Sequence, residues 1–84
     1  MSYSFSWTNR SRKDLEKLPA PVSKRIVDKI ESLSENPHRS AERCEGYPYY
    51  HQRVGNYRII LAIDDSESQI SVLKIGLRKK VYER

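Results

Sequence analysis

The chain has 84 residues, with 16 Lys and Arg against 11 Asp and Glu, and a net charge of +5. A chain this short reads as one small domain over residues 1–84. It removes only about 60–65% of its unfolded surface from water, which excludes a deep enclosed cofactor site and favours an open one. The charge balance favours polyanionic partners, either nucleic acid or an acidic protein.

Tyr3-Ser4-Phe5-Ser6-Trp7 alternates aromatic and small polar residues, the pattern of a half-buried strand. Thr8 offers an N-cap to a polar helix over Asn9 to Leu18, which buries little beyond Leu15 and Leu18. Pro19-Ala20-Pro21 interrupts it, and Pro21 suits the first turn of a second helix. Val22, Ile26, Ile30 and Leu33 form the apolar stripe of that helix, which Asn36-Pro37 ends. Its other face carries Lys24, Arg25, Asp28, Lys29, Glu31 and Glu35 and reads as solvated surface. His38 to Glu45 is polar and reads as a loop, with His38 facing solvent. Three strands follow, roughly Tyr47–Val54, Tyr57–Asp64 and Gln69–Gly76. The predicted architecture is α+β: an N-terminal strand, a helical hairpin and a three-stranded antiparallel meander, with the helices on one face of a mostly antiparallel sheet.

Cys44 is the only cysteine, so no internal disulfide can form, and the absence of a CxxC or His/Cys cluster argues against a metal site. No cofactor is expected. The longest apolar run, Ile59–Ile63, has five residues and is too short to span a bilayer. With no apolar run fit for a signal peptide, a cytoplasmic location without membrane contact is expected.

The cations are unevenly spread. Residues 8–46 hold nine basic and seven acidic groups, whereas Tyr47 to Ile63 holds no acid and carries His51, Arg53 and Arg58. Beyond Gln69, Lys74, Arg78, Lys79, Lys80 and Arg84 face Glu83 alone. Gly55-Asn56 reads as a two-residue hairpin turn. If Val54 pairs with Tyr57, Arg53 stands opposite Arg58, and His51 shares their face. Like charges directly opposite destabilise a sheet, so an anion between them is expected, a phosphate in particular. Tyr49 falls in phase with His51 and Arg53 and could stack on a base. Tyr57, in phase with Ile59, Leu61 and Ile63, is expected in the core.

The run Val54-Gly55-Asn56-Tyr57-Arg58-Ile59-Ile60, the acidic turn Asp64-Asp65-Ser66-Glu67 and the tail Ile75-Gly76-Leu77-Arg78-Lys79-Lys80-Val81-Tyr82 resemble the RelE/ParE superfamily of toxins of type II toxin–antitoxin modules. The Arg-to-Tyr tail is similar to the RelE branch, whose members cut messenger RNA in the ribosomal A site. ParE-like members poison DNA gyrase. The resemblance implies a metal-independent endoribonuclease that acts with the ribosome on mRNA and is neutralised by a cognate acidic antitoxin. The alternatives are a gyrase inhibitor of the ParE kind and a degenerate toxin-like binding protein. It matches Arg58 to the family's hairpin arginine, Arg78 to its tail arginine and Tyr82 to its C-terminal tyrosine. His51 and Arg53 stand where many RelE-like toxins carry lysines, and Leu77 where they often carry His or Lys.

Cutting RNA without a metal requires a base for the 2′-hydroxyl, charge on the phosphorane to be offset, and a proton for the leaving 5′-oxygen. Arg53 and Arg58 could fork onto the scissile phosphate, with Arg78 as a further cation. His51 and Tyr82 are the proton-transfer candidates, flanking arginines favouring neutral imidazole. Tyr49, Lys74, Lys79 and Lys80 are expected to bind and steer RNA.

Overall fold

The computed structural model describes residues 2–39 and 41–77. In chain order the elements are β1 (Ser4–Trp7), α1 (Asn9–Glu16), α2 (Ala20–Ser32), a 3-10 turn at Pro37–Arg39, β2 (Glu42–Arg43), β3 (Tyr50–Val54), β4 (Tyr57–Asp64) and β5 (Gln69–Leu77). The strands form one sheet in the order β1-β5-β4-β3-β2, antiparallel except for the parallel pairing of β1 with β5. The α+β architecture with its helical hairpin and meander is therefore as expected.

The short strand β2 was not expected. Gly46, at φ +81°, turns the chain so that the Cys44 amide donates to the Tyr49 carbonyl at 2.8 Å. Glu42 then pairs with His51, and Arg43 with Tyr50. The turn takes up Tyr47 and Pro48, so β3 begins at Tyr50 rather than at Tyr47.

Thr8 caps α1 as its hydroxyl predicts: Oγ1 accepts from the Ser11 amide at 3.0 Å. The helix ends at Glu16, two residues early, because Pro19 disfavours helical backbone at Leu18. Ser11 is fully buried, against the expectation that α1 buries little beyond its leucines. In α2, Ile26 and Ile30 are buried, as is Leu33 just past its end. They meet Ile59, Leu61, Ile70, Val72 and Ile75 from the sheet, while Phe5, Trp7, Leu15, Leu18, Val22 and Tyr57 pack around this core. Burying each large aliphatic side chain is worth about 1.5–3 kcal/mol.

A bulge in β5 falls midway along its ladder with β4. Ile60 pairs with Lys74 but Leu61 with Val72, so Leu73 is an extra residue. The backbone groups around it are satisfied by α1 and its cap. The Thr8 hydroxyl donates to the Leu73 carbonyl at 3.0 Å, and the Ile75 amide donates to Asp14 Oδ2 at 3.0 Å. His38 is not simply solvent-facing. It meets Asp65 at 2.8 Å and lies edge-on to Tyr50, and the Tyr3 hydroxyl donates to the same carboxylate oxygen at 2.8 Å.

Asp14→Ala strands the Ile75 amide and is expected to lower stability by about 1–3 kcal/mol, measured by denaturant unfolding. His38 and, after it, Tyr3 hold the Asp65 carboxyl below the usual carboxylate range. That contribution is present above the ordinary carboxylate range and is lost as pH falls through the depressed folded value. Asp65→Asn should therefore lower Tm at neutral pH and give a shallower decline between neutral and acidic pH in thermal melts.

Candidate nucleic-acid interface

Gly55 adopts φ +59° in the turn while Asn56 does not have positive φ, the signature of a type II′ hairpin. The turn fixes Val54 opposite Tyr57, Arg53 opposite Arg58, Gln52 opposite Ile59 and His51 opposite Ile60. Val54, Ile59 and Leu61 belong to the core beneath the helices. By the alternation of strand side chains, His51, Arg53 and Arg58 take the other face. The two arginines thus share the side of the sheet away from the helices.

Two neighbouring rows cross that face. One runs Glu42, His51, Ile60, Lys74, and the next runs Arg53, Arg58, Gly76. Lys74 joins the group through the bulge, because the extra Leu73 sets it opposite Ile60. Gly76 brings no side chain beside Arg58. Arg53 is exposed, whereas Arg58 is buried, with 6% of its surface accessible. One guanidinium is therefore held low in the surface and its register partner reaches into solvent.

His51 is also buried. Burial is the main cause that pushes its pKa below the ordinary imidazole value, and Arg58 and Arg53 add to it. Glu42 opposes the shift from Oε1 at 3.7 Å from His51 Nε2. The neutral ring can accept a proton, and the carboxylate beside it stabilises the imidazolium that results. Sequence reading missed Glu42 because a two-residue edge strand carries no periodic signal. Its only clue was the Gly46-Tyr47-Pro48 turn chemistry.

Tyr49, 40% exposed, immediately precedes β3, and its carbonyl accepts from the Cys44 amide. Arg78, Lys79, Lys80 and Tyr82 lie outside the described residues. Cys44 is partly buried, and burial pushes its thiol pKa up, against a reactive thiolate. Among the described residues no helix is long and apolar enough to cross a membrane.

The family model for the ParE toxin of the type II toxin–antitoxin system parDE matches residues 5–82. Toxin RelG of Mycobacterium tuberculosis is 31% identical over the full length of both chains. The mRNA interferase toxin RelE of Escherichia coli K12 is 24% identical, over 95% of this chain and 87% of its own. Among solved structures, the RelBE2 toxin–antitoxin complex of Mycobacterium tuberculosis contains a chain that superposes with a TM-score of 0.83 at 30% identity, covering 93% of each chain. With the hairpin register, the sheet order and these similarities together, the chain belongs to the RelE/ParE superfamily of toxins from type II toxin–antitoxin modules.

Proposed function

We propose that this toxin cuts messenger RNA on the ribosome and so arrests translation. The observation that carries the reading is the Arg53–Arg58 register on the helix-free face, with His51 and Lys74 in the adjoining row. The 2′-hydroxyl gives its proton to neutral His51, and its oxygen attacks phosphorus. Arg53 and Arg58 offset the charge gathered on the phosphorane. The bond from phosphorus to the 5′-oxygen then breaks, leaving a 2′,3′-cyclic phosphate and a 5′-hydroxyl. Tyr82 is assigned the leaving-group proton and Arg78 a further phosphate contact, both on the strength of the family tail. Lys79, Lys80 and Lys74 steer the backbone, and Tyr49 offers a ring to an unstacked base.

This set is small for a nuclease acting alone. Positioning by the ribosome can supply several kcal/mol that the isolated protein lacks, so weak activity on free RNA is compatible with the reading. A cognate acidic antitoxin is the proposed partner, covering the basic surface and silencing it. The RelBE2 complex, in which the 30% identical chain sits with its antitoxin, supports such a partner. Inhibition of DNA gyrase is the second reading, favoured by the ParE description of the matching family model.

Induced expression followed by mapping of 5′ ends on translated messages separates the two. Cuts at a fixed phase within codons are the expected result. Uncut messages together with loss of supercoiling by purified gyrase would assign the second function instead. Arg58→Ala and Arg53→Ala should each lower ribosome-dependent cleavage by about 10²–10³-fold. The exposed Arg53 provides the variant that leaves packing intact. Cleavage should rise with pH through a midpoint below the ordinary imidazole value and then level off. His51→Gln should abolish that rise. In an NMR titration Glu42→Gln should move the His51 midpoint further down, and Arg53→Gln should move it up.

A further inference from the structure

Where α2 meets the hairpin, the two enclose an open cleft of about 430 Å³. Arg25, Asp28 and Lys29 line it from the helix, and Arg53, Val54 and Gly55 from the strand and turn. On sequence alone the helical residues read as plain solvated surface. The fold instead brings two of their cations to the turn that fixes the Arg53–Arg58 register. Arg25 reaches across to that turn: a Cβ built on Gly55 would lie 3.7 Å from its Nη1 and 3.9 Å from its Nη2. Lys29 stands one helical turn on from Arg25, a spacing at which like charges repel.

Three cations from two separate elements therefore border one cleft. Among the described residues Asp28 is the only acid lining it, and Lys24 already engages that carboxylate at 3.2 Å. Among the described residues no carboxylate lies within ion-pair distance of Arg25, Lys29 or Arg53. Gly55 adds no side chain of its own to the lining, and the Arg25 guanidinium lies over it. Self-repelling charge around an open concavity is the arrangement expected of an anion site. Arg53 borders the cleft and also stands in register with Arg58, so one residue links the cleft to the proposed cutting face.

The geometry points to this cleft as a second backbone site, where Arg25 and Lys29 bind phosphodiester groups of the RNA strand adjoining the one held at Arg53 and Arg58. The assignment rests on the RNA-cutting reading and names the part of the protein that grips the flanking strand. The two cations grip without chemistry, and their effect falls on affinity and its salt dependence.

The test uses the full-length protein and a labelled single-stranded RNA of about ten 2′-O-methyl nucleotides, the size of a typical single-strand site. Anisotropy titrations over a range of salt give the slope of log affinity against log salt. For Arg25→Gln/Lys29→Gln the slope should flatten by about 1.4, two phosphates at about 0.7 each, with binding about tenfold weaker at low salt. Asp28→Asn should tighten binding, a gain that misfolding cannot produce. Unchanged slope and affinity in the double variant would overturn the assignment. So would loss of binding to a poly-glutamate peptide with RNA binding intact, because the occupant would then be an acidic protein. If messages stay uncut in cells while the double variant still loses its salt slope, the cleft stands and the nuclease reading falls.

Discussion

The proposed anion-binding face of this sheet depends on the register set by one two-residue turn. Gly55 at φ +59° lets β3 and β4 reverse over only two residues, and that reversal puts Arg53 directly opposite Arg58. A slip of one residue would send the arginines into the helix-covered core and bring Val54 and Ile59 out to water. The apolar alternation of β4 opposes such a slip. Hydrophobic burial on one face thereby stabilises electrostatic repulsion on the other, and the pairing survives because its two costs differ greatly in size. Several buried aliphatic side chains, at about 1.5–3 kcal/mol each, outweigh one cross-strand pair of like charge, at about 1 kcal/mol or less.

The surroundings grade that charge. Arg58 sits low in the surface and Arg53 is exposed, so under the proposed function a phosphate meets the exposed guanidinium before the buried one. Helix α1 acts on the same face from behind the sheet. By answering the Leu73 carbonyl and the Ile75 amide, Thr8 and Asp14 hold the β5 bulge that brings Lys74 into the row of His51. A cap and a helix carboxylate thus position a cation on a surface they do not touch.

The main lines of this fold and site were legible because they rest on short-range rules. The amphipathic stripe of α2, the alternation of β4 and the Gly-Asn turn each declare themselves within a few residues, and Arg53, Arg58 and His51 follow from the turn by counting. What escaped depends on tertiary contact. Glu42 reaches His51 only because a two-residue strand joins the sheet edge, and β3 begins at Tyr50 because the same turn takes up Tyr47 and Pro48. Ser11 is buried because α1 lies close against β5, which its small polar side chain does not announce. The cations of α2 share one cleft with Arg53 through the docking of helix on hairpin, so helical periodicity alone reads them as surface.

The parallel pairing of β1 with β5 has a consequence for the protein's birth. Residues such as Ser6 and Ser71, 65 positions apart, come together only when everything from β1 to β5 is available. While the chain emerges from the ribosome that makes it, β5 is the last of these strands to appear, and the sheet cannot be completed before it does. Closing so long a loop is entropically costly and slow relative to the local hairpins. A protein proposed to attack translation is thereby kept from completing its sheet until β5 has been made.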